Sequence, residues 1–365
     1  MNAPAIDRRK FGSRASSGLF ELLRPLLAVA VAFAVAGLVL ALFGYSPGAA
    51  LTALLRGSFG SPNAWTATLQ KTGPLLLTGL AVTLCFRCGA WNIGAEGQLY
   101  AGALSATWIA TWLLPGAPAV LLVPALALAG AAGGALWGSI AGGLRATRGV
   151  SEVISTILLN FIAIQIVSLA VHGPLQEASG AYPQSEAFPA AARLPAIARI
   201  HLGLPIALML AFGSAFLLFR TALGLRMRAV GLSALASRFA GIRAERHLVL
   251  ALALGGGLAG LAGAFEVAGV TGRLFERLSP GYGYTAIAVA LLARLHPIAL
   301  IPSALLFGML EAGGGAMQRE AGIPSVAADL VKGMVILLSV GFAVAKQGPR
   351  ALGAPDAVDE GEKGT

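Results

Sequence analysis

Arg87-Cys88-Gly89-Ala90-Trp91-Asn92-Ile93-Gly94-Ala95-Glu96-Gly97-Gln98-Leu99-Tyr100-Ala101-Gly102 sets Asn92, Glu96 and Gln98 among four glycines, in the middle of a chain that otherwise reads as membrane. Lipid cannot satisfy freed backbone N–H and C=O groups. Such a stretch is therefore tolerated at membrane depth only where protein or a water-filled cavity surrounds it. Two readings stand at this point: a path for a polar solute, or a loop that needs its glycines merely to turn.

Composition sets the class. Hydrophobic residues make up 57% of the chain and charged residues 12%, with a mean hydropathy of +0.79. Soluble domains carry about 25% charged residues. Apolar runs of about 20 residues each span a bilayer as helix, and this chain has many. We place spans near 25–43, 66–86, 97–114, 118–142, 152–172, 202–219, 247–267, 283–295, 298–316 and 325–345. The fold class expected is all-α: a polytopic membrane protein of about ten transmembrane helices, with a broken or re-entrant helix near residues 87–98. In an eight-span version, the short segments near 283–295 and 298–316 form one re-entrant pair.

The formal charge of +10 records cytoplasmic loops better than nucleic acid, because Lys and Arg hold such loops inside. Arg8, Arg9, Lys10, Arg14 and Arg24 precede the first run, Pro25 to Phe43, which exceeds the roughly 7–15 apolar residues of a cleaved signal peptide. It reads as a retained span starting in the cytoplasm. Arg145 and Arg148, the arginines from Arg220 to Arg246, Arg294, and Lys346 with Arg350 all fall inside in the ten-span arrangement, with both termini cytoplasmic. Segment 173–201 balances Glu177 and Glu186 against Arg193 and Arg199 and falls outside. The organisation expected is a cytoplasmic segment 1–24, a transmembrane domain 25–346 with a cytoplasmic loop 220–247, and a disordered acidic tail 347–365.

Several side chains have plain structural readings. Gly133, Gly134, Gly138, Gly142 and Gly143, then Gly255, Gly256, Gly257, Gly260 and Gly263, let helix backbones approach closely. Cys85 and Cys88 form a single C-x-x-C without a second pair or a nearby His, and read as reduced packing residues rather than a metal site. Glu266 lies at a span end, where it can snorkel to water. Ser151 is placed to cap the helix that begins at Glu152, an acid suited to a positive helix end. Asn160 lies deeper, where an amide needs an internal partner.

Loop 220–247 has helical spacing from Ser233 onward, with Leu235, Phe239 and Ile242 on one side. Such a helix docks into a groove of a soluble partner or lies on anionic lipid. The segment Gly281-Tyr282-Gly283-Tyr284 opens with a glycine-aromatic turn, and Glu311, Gln318, Asp329 and Lys332 follow in or near the last spans.

Taken together, GAWNIGAEGQLYAGA, GVSEVISTILLNFIA, GLRMRAVGLSALASRFAGI and GYGYTAIAVALLARLHPIALIPSALLFGMLEAGGGAMQ resemble, in this order, the permease subunits of bacterial ATP-binding-cassette (ABC) importers of the simple-sugar and nucleoside type. The resemblance covers roughly residues 20–345 and is nearest the longer permease of nucleoside-type systems. It implies a heterodimer with a second, shorter permease, a cytoplasmic ABC ATPase carrying ATP-Mg, and an extracytoplasmic substrate-binding protein, periplasmic or lipoprotein, in a bacterial plasma (inner) membrane. It also implies that Gly224–Ile242 is the family's coupling helix, with Arg226, Arg228, Gly231, Ala236, Ala240, Gly241 and Ile242 matching and Phe239 on its apolar side. The acid or amide usual after Gly231-Leu232 is replaced here by Ser233-Ala234.

The function expected is ATP-driven uptake of a nucleoside or simple sugar by a transport subunit that is not an enzyme. The chain has no GxxxxGK[ST] loop, so ATP is handled by another polypeptide, and no cofactor is expected on this one. Asn92, Glu96, Gln98 and Asn160 are the expected pathway residues, lining or framing a cavity for a neutral polyhydroxylated solute. An ion-coupled carrier is the alternative, with Glu96 and Glu311 as its candidate carboxylates. A membrane enzyme is disfavoured because His172, His201, His247 and His296 are scattered.

Overall fold

The structure, a computed structural model, describes residues 14–197, 199–324, 326, 329–330, 333–334 and 336–338, with the backbone alone for 14–26, 28 and 197. The expected tenth span, 325–345, lies largely outside the described residues. So do Arg8, Arg9, Lys10, Lys346, Arg350 and the acidic tail.

The described residues are mostly helical. The elements are α1 (Arg14–Leu42), α2 (Pro47–Phe59), α3 (Pro62–Arg87), α4 (Ala95–Trp108), α5 (Ala119–Arg148), α6 (Glu152–Val171), α7 (Gly203–Arg220), α8 (Ala222–Leu232), α9 (Ala234–Phe239), α10 (Ala244–Glu266), α11 (Tyr282–Leu292) and α12 (Leu300–Ala321). Wider π turns prolong α4 through Ile109–Leu113 and α10 through Val267–Thr271. The described strands are the two-residue pair Ala196–Ile197 and Ile200–His201. Among the described residues, six helices are long and apolar enough to cross a membrane: α3, α5, α6, α7, α10 with its π turn, and α12. Leu128, Leu136, Leu169, Phe212 and Phe216 stand exposed on α5, α6 and α7, a surface suited to lipid.

Small residues set the core. A Cβ on Gly134 would lie 2.1 Å from the Gly256 carbonyl oxygen, and one on Gly260 would lie 2.2 Å from that of Gly130. The α5 and α10 backbones thus touch without side chains between them, as membrane helices do when small residues line an interface. Gly102 and Gly263 admit α4 to the same junction, against Gly260 and Leu99. Gly143, grouped with these by sequence, faces open space.

The expected span 97–114, α4 with its π turn, is not among the six membrane-length helices, and the structure departs from the span assignment in two further places. Helix α2 goes unforeseen; Pro47 stands in its first turn and Ser46 caps it, accepting the Ala49 N–H at 3.3 Å. The eighth span is a half-length helix. Eleven residues rise about 16 Å, half of a hydrocarbon core of about 30 Å. Gly281, at φ +96°, starts it, and Arg294 and Leu295, at φ +54° and +56°, end it.

At one end of the bundle sit α8 and α9, together with the ends of α3, α5 and α7 and the start of α10. At the other end, the segment after α6 joins the segment after α10. Ser185 N–H donates to Leu274 O at 2.9 Å, Phe188 N–H to Gly272 O at 2.9 Å and Leu194 N–H to Ala268 O at 3.0 Å, while Arg273 pairs with Glu177. Two segments some eighty residues apart in the chain therefore form one cap.

Candidate functional site

The break expected near 87–98 falls at residues 88–94, between α3 and α4. Gly89 takes φ +80°, and the Asn92 side chain folds back so that its Oδ1 accepts the Gly94 N–H at 2.9 Å. Asn side chains commonly bond the backbone two residues on in this way. Asn92 and Gln98 then bond reciprocally: Asn92 Nδ2 donates to Gln98 Oε1 at 3.0 Å and Gln98 Nε2 to Asn92 Oδ1 at 3.2 Å.

Gly94 gives α4 no side-chain cap. Asn160, reaching across from α6, supplies one. Its Oδ1 accepts the Gly97 N–H at 2.7 Å and its Nδ2 donates to Ile93 O at 2.9 Å, so a single amide satisfies backbone on both sides of the helix start. Thr156 Oγ1 accepts the Ile93 N–H at 3.3 Å. Gly97 permits the approach, since a Cβ there would stand 2.8 Å from Asn160 Cα. Asn160 lies eight residues, about 12 Å, into α6, so α4 begins well inside the bundle.

Glu96 completes the junction. Its Oε2 accepts the Gly283 N–H at 2.6 Å, in the first turn of α11, and a Cβ on Gly283 would stand 2.1 Å from Glu96 N. The N-termini of α4 and α11 meet here with one acidic side chain between them, the sign that helix N-termini favour. Asn92, Glu96, Gln98 and Asn160 are each 2% exposed or less. All four expected site residues thus meet at one place, where their polar atoms are spent on the chain itself.

Lys71, Tyr100 and Ser279 join this polar interior without having been picked from sequence, together with Tyr282 of the glycine-aromatic turn. Lys71 Nζ donates to Tyr282 Oη at 2.8 Å, and Tyr100 Oη accepts the Ser279 N–H at 3.3 Å. A cation inside the 66–86 span was the signal for Lys71. Glu266, expected at water, is instead 3% exposed, because α10 continues as a π turn past it; its Oε2 has no hydrogen-bond partner among the described residues. Ser151 makes no side-chain cap; its carbonyl accepts from Ser155, and Glu152 pairs with Arg145 at 3.4 Å. Cys85 and Cys88 are buried free thiols, with Cys85 Sγ 3.2 Å from Ala251 O.

Helices α8 and α9 form an elbow at the bundle end. Thr221 caps α8 through the Gly224 N–H at 3.1 Å, and Ser233 caps α9 through the Ala236 N–H at 3.1 Å. The elbow's outer surface carries Leu225, Leu232, Leu235 and Phe239, with Phe239 87% exposed. Arg226, Gly231, Ala236, Ala240 and Gly241 are exposed with it and Arg228 is half-buried. Ile242 turns inward, toward the cluster of Cys88, Met227 and Val230, rather than sharing the Leu235–Phe239 side. Beneath the elbow, Phe219 stacks on His296 at 5.1 Å and lies under the Arg87 and Arg228 guanidiniums. Burial holds the His296 imidazole below its ordinary value, and the neighbouring Arg87 charge adds to this.

The family described as branched-chain amino acid transport system / permease component matches residues 65–340. Among curated proteins, the chain is 35% identical to the glucose ABC transporter permease protein of Haloferax volcanii, over 87% of this chain and 86% of that one. It is 35% identical to the guanosine ABC transporter permease protein of Bacillus subtilis, over 87% and 93%. With the nucleoside ABC transporter permease protein of Lactococcus lactis it shares 32% identity over 91% and 94%. No solved structure matches.

Proposed function

Because the chain belongs to the branched-chain amino acid transport system / permease component family, we propose that it is the membrane-spanning permease subunit of an ABC importer for a nucleoside or a simple sugar. The single observation that carries this reading is similarity to ABC permeases along most of the chain: the relatives are named for guanosine, nucleosides or glucose, and the likeness covers 86–94% of each chain. The chain is a transport subunit, not an enzyme.

In this reading the exposed apolar elbow α8–α9 faces the cytoplasm and takes a soluble ABC ATPase, which holds ATP-Mg. The opposite cap, 173–201 with 268–282, receives a substrate-binding protein. A second, shorter permease completes the pathway in the plasma membrane. Bacillus subtilis and Lactococcus lactis each have a second, less similar guanosine or nucleoside permease, which fits a paired arrangement. Asn92, Glu96, Gln98 and Asn160 frame the pathway by holding the broken helix open at mid-depth. ATP drives uptake only so far as it favours one of two arrangements of the permeases.

The geometry favours this over an ion-coupled carrier. Glu96, one of that alternative's two carboxylates, is occupied by the first turn of α11. The test is uptake of labelled guanosine and glucose by cells expressing the system, with the proton gradient collapsed while ATP is kept high. Uptake that persists supports the importer; uptake that stops with the gradient sinks it.

A further inference from the structure

Two charged residues flank the 88–94 break, and both grip the same half-helix. Glu96, after the break, accepts the Gly283 N–H in the first turn of α11. Arg87, before the break, reaches the other end: its Nε donates to Leu295 O at 2.8 Å and its Nη2 to Arg294 O at 3.2 Å. Acid at the N-terminus and base beyond the C-terminus is the polarity a helix dipole favours.

The grip at the second end holds a strained turn. Arg294 and Leu295 are two consecutive non-glycine residues at positive φ, a conformation that persists only when the surroundings impose it. Arg87 bonds both of their carbonyls. A helix-end arginine satisfied by its own helix would not need to reach some two hundred residues along the chain.

The same residue is in backbone contact with the elbow. A Cβ on Gly231, in the last turn of α8, would stand 2.3 Å from the Arg87 carbonyl oxygen, and one on Gly89 would stand 3.2 Å from Gly231 Cα. Phe219, under the Arg87 and Arg228 guanidiniums and stacked on His296, lies alongside. A shift of α8 toward α3 therefore presses on the Arg87 backbone, and interiors this closely packed pass displacement on rather than absorb it.

We propose that Arg87 and Glu96 are positioning residues that clamp α11 from the two sides of the break, so that displacement of the α8–α9 elbow is delivered through Arg87 to this half-helix. The inference rests on the importer reading, in which the elbow takes the ATPase. The half-helix is the moving part, and the 88–94 segment is the joint that lets both of its ends follow.

The test uses the full chain in its membrane complex, with Tyr284→Cys on α11 as a reporter; Tyr284 is 41% exposed, whereas Cys85 and Cys88 are buried. Maleimide labelling of the reporter is timed with and without ATP. With Arg87 and Glu96 intact, ATP changes the rate by about fivefold or more, the lower end of measured couplings between sites. In Arg87→Ala the change falls below about twofold while the ATPase still co-purifies and still hydrolyses ATP, and in Glu96→Ala, which removes the acceptor of the Gly283 N–H, the change falls likewise. Should Arg87→Ala not assemble, Arg87→Lys, which keeps the charge but not the two-pronged reach, gives an intermediate change. An undiminished ATP response in Arg87→Ala or, failing its assembly, in Arg87→Lys overturns the clamp. So does loss of hydrolysis in step with the response, the mark of a merely structural role, or no ATP response in the intact complex. Absence of any ATPase from the intact complex strikes instead at the importer reading.

Discussion

Asn92 and Gln98 exchange two hydrogen bonds, at 3.0 and 3.2 Å, across the start of a helix that begins inside the protein. Two amides, each burying a donor and an acceptor, are worth little apart and much together, because an unmet partner keeps its full desolvation cost. Removing both therefore costs less than the two single losses added together.

Asn92→Leu and Gln98→Leu should each lower stability by about 1–3 kcal/mol, and the double variant by less than their sum. Thermal unfolding of the purified protein in detergent reads the cycle. Additive losses would mean that the pair does not act as a unit.

Gly134→Leu, placed where even a Cβ meets the Gly256 carbonyl oxygen at 2.1 Å, should prevent α5 from seating on α10 and abolish monodisperse protein. Gly143→Ala, in the same glycine group but facing open space, should be neutral or stabilise by up to about 1 kcal/mol through helix propensity. Size-exclusion profiles and unfolding temperatures separate the two.

The cap should loosen in acid. Hydrogen bonds from Gln184 and Ser179, and then the Arg273 guanidinium, hold the Glu177 carboxyl below its ordinary 4.5. A depressed folded value contributes stability that is fully present above the unfolded value and is lost as pH falls through the folded one. Hydrogen-exchange protection at Gln184 and Ser185, taken relative to the intrinsic rate at each pH, should accordingly be flat from neutral pH down to about 4.5 and fall below it, and Glu177→Gln should remove that dependence.

Cys85 and Cys88 should resist maleimide in the native protein and react together on denaturation, since both are fully buried as free thiols. Mass spectrometry before and after denaturant counts them. Fast native labelling of either would contradict the packing of α3 against α10.

Much of this arrangement is legible in the sequence, for identifiable reasons. Hydropathy and glycine spacing place α3 to α7, α10 and α12, because bilayer length and backbone approach leave few alternatives. The GAWNIGAEGQ stretch marks the break, because glycines and amides have no business in a lipid-facing helix. What escapes is pairing between distant segments. That Asn160 caps α4, that Glu96 reaches Gly283 and that Arg87 reaches Leu295 depends on tertiary approach, which no local period encodes. Lys71 shows the other limit: one cation is hidden by the average hydropathy of its span. Helix α2 is missed because thirteen residues with Arg56 among them fall below a spanning pattern, although Ser46-Pro47 announces a helix start.

The central claim, an ABC permease whose α8–α9 elbow docks the ATPase, is tested most directly by purifying the tagged chain from its native membrane in mild detergent and identifying what accompanies it. The account predicts a Walker-motif ATPase and a second multi-span protein. It also predicts that Leu235→Asp with Phe239→Asp, at side chains 65% and 87% exposed, loses the ATPase while keeping the second permease and the unfolding temperature. A chain recovered alone, and transporting in vesicles without ATP, would contradict it.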